Sequence, residues 1–126
     1  MFAKTIELTA TKKEFRFTCG MNETRFRPVV YLSPERRVLS VGSPPAEGGT
    51  CTEARVFDDE SFDDSFSVLE VMMRYGARAV IGGFSFGTIT FRISIGPDIR
   101  KDLMGFTNGL FTQAATHAGA SKVVIV

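Results

Sequence analysis

The sequence has few of the residues that cross-link a small domain or bind metal ions in it. Its 126 residues include only one histidine and two cysteines. The chain also has no tryptophan. Cys19 and Cys51 are too few and too far apart for a disulfide framework or a zinc knuckle, so we expect a reducing compartment and a cytoplasmic protein. His117 has no second histidine, and no cysteine at ligand spacing, with which to share a metal ion, so we expect no metal site there.

A dominant charge of one sign and long apolar runs are missing too. Fifteen Lys and Arg residues against fourteen Asp and Glu leave a formal net charge of +1, so the chain lacks the basic field that attracts nucleic acid or anionic lipid. No apolar run approaches the ~20 residues that span a bilayer, and the opening MFAKTIEL lacks the apolar stretch of a secretory signal. The 12 Phe residues and 44% hydrophobic content predict one soluble domain with its own core.

Hydrophobic periodicity predicts the element order β-β-β-α-β-α-β. Extended segments are expected at 2–9, 13–19, 28–33 continuing at 37–41, 88–95 and 122–126. An apolar stripe at helical spacing predicts the first helix, with the inward residues Phe62, Phe66, Leu69, Met73, Ala77 and Val80. The second helix is expected to start at Gly96-Pro97-Asp98 and to end at Gly119. Its expected inward residues are Ile99, Leu103, Phe106, Leu110, Ala114 and Ala118.

This order predicts an α/β fold with a mixed five-stranded sheet. Three antiparallel strands are followed by two right-handed crossovers that place helices on the sheet. The stretch SPPAEGGT is rich in proline, glycine and small polar residues, and we expect a mobile surface loop over residues 43–55. Neither flank of that loop could fold alone, so the whole of 1–126 is predicted to be a single domain.

One set of carboxylates suggests an enzyme. In folds of this strand order, two-metal nucleases carry acids on the first strand, on the first helix and at the end of the fourth strand. Glu7, Glu70 and Asp98 occupy about those places, and the chemistry requires them to converge on two ions roughly 4 Å apart. Nothing basic or aromatic lines up to hold a nucleic-acid backbone, so we expect no nucleic-acid partner. The nuclease remains an alternative at this point.

The motifs, taken in order, resemble the first half of the bacterial actin-like MreB cell-shape family. IELTATKKEFRF stands where that family has an I-D-L-G-T segment, and RFRPVVYLS with RVLSVG is similar to its third-strand region. VLEVMMRYGARAV resembles its M-L-R-Y-F-I helix, and THAGASKVVIV resembles A-G-A-R-E-V-Y-L-I. The resemblance covers nearly the whole chain. It implies an actin-like subdomain of the ribonuclease-H-like type over residues 1–126.

Members of that family hold ATP between two halves and grip its phosphates with glycine-rich hairpins. The first hairpin corresponds here to Glu7, Thr9, Ala10 and Thr11, with no glycine where the backbone must approach the phosphates. Lys101 stands where the family has the acid that positions the attacking water. The resemblance therefore implies a degenerate phosphate site, no cofactor and no ATPase activity in this chain alone. ATP and magnesium would be cofactors only if the chain is half of a split ATPase that a partner chain completes.

The resemblance also implies how the protein acts. We expect a non-catalytic cytoskeletal or assembly module whose partner is a second copy of itself or an actin-like protein. In the expected strand order, residues 28–41 and 121–126 form the two edges of the sheet, where such contacts are made. The family's membrane-dipping loop corresponds to 82–87, which implies a peripheral membrane contact through Phe84 and Phe86. The competing interpretation is that Phe86 leads into the fourth strand and packs in the core, while Phe84 covers a helix end.

Overall fold

A computed structural model describes residues 2–46, 49–55, 62–81, 87–99 and 107–126. The strands in these ranges are β1 (Phe2–Ala10), β2 (Phe15–Cys19), β3 (Asn22–Phe26), β4 (Val29–Leu32), β5 (Val38–Val41), β6 (Thr52–Arg55), β7 (Gly87–Ile95) and β8 (Lys122–Ile125). The helices are α1 (Phe62–Ile81) and α2 (Thr107–His117), and residues 97–99 are also helical.

The larger sheet has five strands in the order β3-β2-β1-β7-β8. β1, β2 and β3 are antiparallel neighbours, whereas β7 runs parallel to both β1 and β8. Alternation along β1 explains why one face is apolar, because Ile6, Leu8 and Ala10 are buried while Glu7 and Thr9 are exposed. The predicted α/β fold with a mixed five-stranded sheet is confirmed.

Both helices cover the same face of this sheet. α1 packs on β2 and β3, α2 packs on β8, and the helices contact each other. The predicted stripe on α1 is confirmed over its last four positions, Leu69, Met73, Ala77 and Val80, all of which are buried. α1 lies so close to β2 that a Cβ atom added at Gly76 would overlap the ring of Phe17. Glycine therefore sets the distance between the helix and the sheet.

The predicted third strand is wrong. The third strand of the large sheet is β3, which follows β2 through a two-residue turn, Gly20-Met21, with Cys19 paired to Asn22. Periodicity missed β3 because its sequence NETRF is polar on both faces except at Phe26. The segments predicted as that strand are β4 and β5, and they belong to a separate antiparallel sheet ordered β5-β4-β6. The predicted sheet edge at residues 28–41 is therefore wrong, whereas β8 does lie at an edge.

The predicted loop over 43–55 is wrong for its last four residues. Thr52–Arg55 form β6, which pairs with β4 in the register Val29↔Arg55 to Leu32↔Thr52. Ala54 is buried in this strand, whereas residues 43–46 and 49–51 have no regular structure. β4 is buried at every position because it lies between two strands and also contacts α1.

The end of α2 confirms the prediction made from Gly119. This glycine has a φ of 109° and donates its N–H to the carbonyl of Thr116, while Ala120 donates to Ala115. The two bonds form a Schellman motif, which satisfies the last carbonyls of the helix. Leu110 and Ala114 are buried as predicted, and Phe111 and Ala115 are buried too.

Candidate functional site

The turn between β1 and β2 contains the predicted phosphate-site residue Thr11. The backbone N–H of Thr11 donates to the carbonyl of Glu14 at 3.0 Å, and the Thr11 hydroxyl donates to the same oxygen at 3.0 Å. In return, the N–H of Glu14 donates to the Thr11 hydroxyl at 3.0 Å. The turn is thus closed by its own threonine, a residue type that commonly forms such local bonds.

Asp98 binds the same turn from the end of β7. Its Oδ2 accepts a bond from the backbone N–H of Lys12 at 3.0 Å, and its Oδ1 accepts one from the N–H of Ile99 at 3.0 Å. The N–H of Gly96 donates to the carbonyl of Ala10 at 2.8 Å. A Cβ atom at Gly96 would lie 2.7 Å from Asp98 Oδ1 and 3.1 Å from the carbonyl oxygen of Ala10, so a larger residue there would require the carboxylate to shift. A carboxylate therefore occupies the side of the turn where backbone N–H groups could otherwise receive an anion.

The four residues of the predicted phosphate site do not form one site. Glu7 and Thr9 are exposed on the sheet face away from the helices, whereas Ala10 is fully buried and Thr11 lies in the turn. Glu7 and Thr9 line a shallow cavity of about 120 Å³ together with Arg92, Ser94 and Val126. Its lining includes no backbone turn that could enclose phosphates.

The three carboxylates of the nuclease alternative are also far from one another. Glu70 lies on α1, where its Oε1 is 2.8 Å from Arg74 Nη2 and its Oε2 is 3.6 Å from His117 Nδ1. Glu7 lies on the opposite face of the sheet, and Asp98 binds the β1–β2 turn. The predicted convergence of Glu7, Glu70 and Asp98 is therefore wrong. Within the described ranges, no group of three or more His, Cys, Asp or Glu residues could hold a metal ion.

Two further predictions lie outside the described residues. Phe84 and Phe86, which carry the predicted membrane contact, fall between 81 and 87, and Lys101 falls between 99 and 107. Of the helices the structure describes, neither combines the length and the apolar character needed to cross a bilayer.

Sequence reasoning missed a groove between α1 and β5, which we call the α1–β5 groove. It has a volume of about 530 Å³. Its lining residues are Val38, Val41, Val71, Arg74, Tyr75, Arg78 and Ala79. Val38 and Tyr75 are each 47% exposed, so the groove presents two large apolar side chains to solvent. The available signal was the pair Val71 and Tyr75, one helical turn apart and outside the predicted buried stripe.

Two smaller cavities adjoin this groove. One, of about 320 Å³, shares Val38 and Val71 with it and is also lined by Arg36. The other, of about 360 Å³, shares Arg74 and Arg78 and extends to His117 at the end of α2. Among the residues that the structure describes, the lining of the three cavities includes three arginines and no carboxylate. Apolar side chains lie between these arginines, and Arg74 is paired with Glu70.

Comparison with known proteins adds no family to this geometry: no family model matches the chain, and no curated protein is significantly similar to it in sequence.

Proposed function

We propose that the protein is a non-catalytic, actin-like module that acts in the cytoplasm through contacts with other proteins. The observation that carries the proposal is that the backbone N–H groups of the β1–β2 turn already have acceptors within the chain. The backbone N–H groups of Thr11, Lys12 and Glu14 all donate within the chain, and the acceptor for Lys12 is the carboxylate of Asp98. A phosphate would have to displace these acceptors and would be repelled by Asp98, so nucleotide binding is unfavourable here.

The strand order supports the actin-like, ribonuclease-H-like part of the proposal. Three antiparallel strands, β3-β2-β1, continue into the parallel strands β7 and β8. Both helices lie on one face. Right-handed connections require this, because α1 and α2 each precede a strand added on the same side of the sheet, β7 and then β8. Fold alone does not select a function. The separation of Glu7, Glu70 and Asp98 argues against the nuclease alternative, and no observation favours a split ATPase.

The edges of the large sheet support protein contacts. β3 at one edge carries charged residues, with Arg25 Nη2 2.7 Å from Glu23 Oε1, and charges of this kind discourage strand pairing. β8 at the other edge is only half-buried at Val123, Val124 and Ile125. It therefore offers a strand edge to a second copy of the chain or to an actin-like partner.

Calorimetric titration of the chain with ATP and magnesium tests the proposal, with an assay of phosphate release run on the same preparation. We expect no heat of binding and no turnover. Micromolar affinity for ATP, or phosphate release above that of the buffer, would show that the turn opens to nucleotide and that the non-catalytic proposal is wrong.

A further inference from the structure

One wall of the α1–β5 groove is the ring of Tyr75, which a neighbouring aromatic ring supports. The ring of Tyr75 packs edge-on against Phe26, with ring centroids 5.2 Å apart and planes at 87°. Val38 lines the same groove from β5, and both side chains are 47% exposed. Because Phe26 already holds the tyrosine ring, a ligand that packs against it would order few additional side-chain rotamers on binding.

The charge of the groove selects the kind of ligand. Arg74 Nη2 is paired with Glu70 Oε1 at 2.8 Å, so its charge is already balanced. Arg78 lies one turn further along α1 and is exposed, and within the described part of the chain it forms no ion pair and no hydrogen bond through its side chain. An acidic side chain of a ligand could therefore pair with Arg78 without displacing a partner, whereas a basic side chain would be repelled.

The size of the surface limits the occupant to a short segment. The α1–β5 groove and the 320 Å³ cavity beside it follow α1 from Ser67 to Ala79, which is about 18 Å at 1.5 Å per residue. This length matches about five to six residues of extended chain. A contact of that size falls below the area of a stable domain–domain interface and suits weak, reversible binding.

From these three observations we infer that the α1–β5 groove docks a short acidic segment of a partner protein, with apolar side chains packed against Val38 and Tyr75 and a carboxylate paired with Arg78. This inference rests on the proposed function as a protein-contact module and names the chemistry of one partner.

The test uses the full chain and three synthetic peptides of about eight residues, a length that spans the groove with one residue beyond each end. The first repeats Glu-Leu, the second repeats Lys-Leu, and the third repeats Glu-Ser. Binding is followed by tyrosine emission, since the chain has no tryptophan and two tyrosines, and Tyr31 is buried. The variant Arg78→Glu is compared with Arg16→Glu, which makes the same charge change on the opposite face of the sheet.

We expect the Glu-Leu peptide to bind with a Kd on the order of 10–100 µM and the other two peptides to bind at least about tenfold more weakly. Arg78→Glu should weaken Glu-Leu binding about tenfold or more and favour Lys-Leu, while Arg16→Glu should change it less than about twofold. Val38→Ser should also weaken Glu-Leu binding, which provides a second test if the arginine variant does not fold.

Equal binding of the Glu-Leu and Lys-Leu peptides, absence of binding, or equal effects of the two charge reversals would overturn the inference. If Arg78→Glu abolishes self-association in analytical ultracentrifugation, the occupant is a second copy of the chain, and the inference of a separate partner is wrong. Binding of ATP by the same preparation would contradict the proposed function alone, because the nucleotide titration does not involve the groove.

Discussion

At the scale of single residues, two glycines of the same helical segment have opposite roles. Gly119 ends α2 with a φ of 109°, whereas Gly109 lies within the helix and a Cβ atom there would meet open space. We expect Gly119→Ala to lower the free energy of unfolding by about 1–2 kcal/mol, because a Cβ atom strains that backbone conformation. Gly109→Ala should raise it by up to about 1 kcal/mol through helix propensity.

Urea unfolding followed by circular dichroism measures both glycine variants under the same conditions. If Gly119→Ala is as stable as the wild type, the Schellman motif described for the end of α2 is not what stops the helix.

Asp98 accepts hydrogen bonds that hold the β1–β2 turn, and its substitution tests their contribution to stability. Replacing it with alanine leaves the N–H of Lys12 without its acceptor and the N–H of Ile99 with the Gly96 carbonyl alone, so we expect a loss of about 1–2 kcal/mol in the free energy of unfolding. Asp98→Asn keeps one oxygen acceptor and should lose less. Both variants should unfold in a single transition in urea. A fully stable alanine variant would mean that the carboxylate does not hold the β1–β2 turn in place, and it would remove the main support for a closed phosphate site.

At the scale of elements, the packing of α1 on β2 depends on the absence of a side chain at Gly76. We expect Gly76→Ala to destabilise the protein by about 1–3 kcal/mol, because the added methyl group overlaps the Phe17 ring and outweighs the gain in helix propensity. Phe17→Leu alone should also destabilise the fold. The penalty of the alanine should shrink in the leucine background, so the double-mutant cycle should show coupling between the two positions. Additive effects would contradict the close contact.

At the scale of the whole molecule, β8 is the edge through which we expect the chain to associate. Val124→Lys places a charge on that edge and should lower the association constant about tenfold, as lysines on natural edge strands prevent pairing. Thr5→Lys adds the same charge to the same face, but on the central strand β1, and should have little effect. Sedimentation velocity over a range of concentrations distinguishes the variants. Equal loss of association in both would indicate contact through the face of the sheet.

The membrane contact remains a prediction, because Phe84 and Phe86 lie outside the described residues. If both rings enter lipid, they contribute about 3–6 kcal/mol before ordering costs, at ~1.5–3 kcal/mol for each large apolar side chain. The wild type should then sediment with liposomes, and the double variant Phe84→Ser, Phe86→Ser should remain in the supernatant while staying folded. Equal and near-zero lipid binding by both proteins would leave core packing as the explanation.

The strands of the large sheet show which structural features a local sequence pattern can predict and which it cannot. Hydrophobic periodicity was sufficient to predict an extended segment at β1, because the two-residue period of a strand is a local property. The same holds for the stripe on α1 and for Gly119 at the end of α2. The hydrophobic period did not reveal β3, because its residues Asn22 to Arg25 are all polar although α1 packs on this strand.

The sequence by itself therefore determined the fold class, the course of β1, β7 and α1, and the end of α2, since each depends on neighbouring residues with a regular period. Only the tertiary structure decided that β4, β5 and β6 form a separate small sheet, that Glu7 and Glu70 lie on opposite sides of the large one, and that Asp98 closes the β1–β2 turn. Val38 and Tyr75 likewise line one groove only after folding. These relations join residues far apart in the chain, and no local period encodes which distant strand or helix a segment will contact.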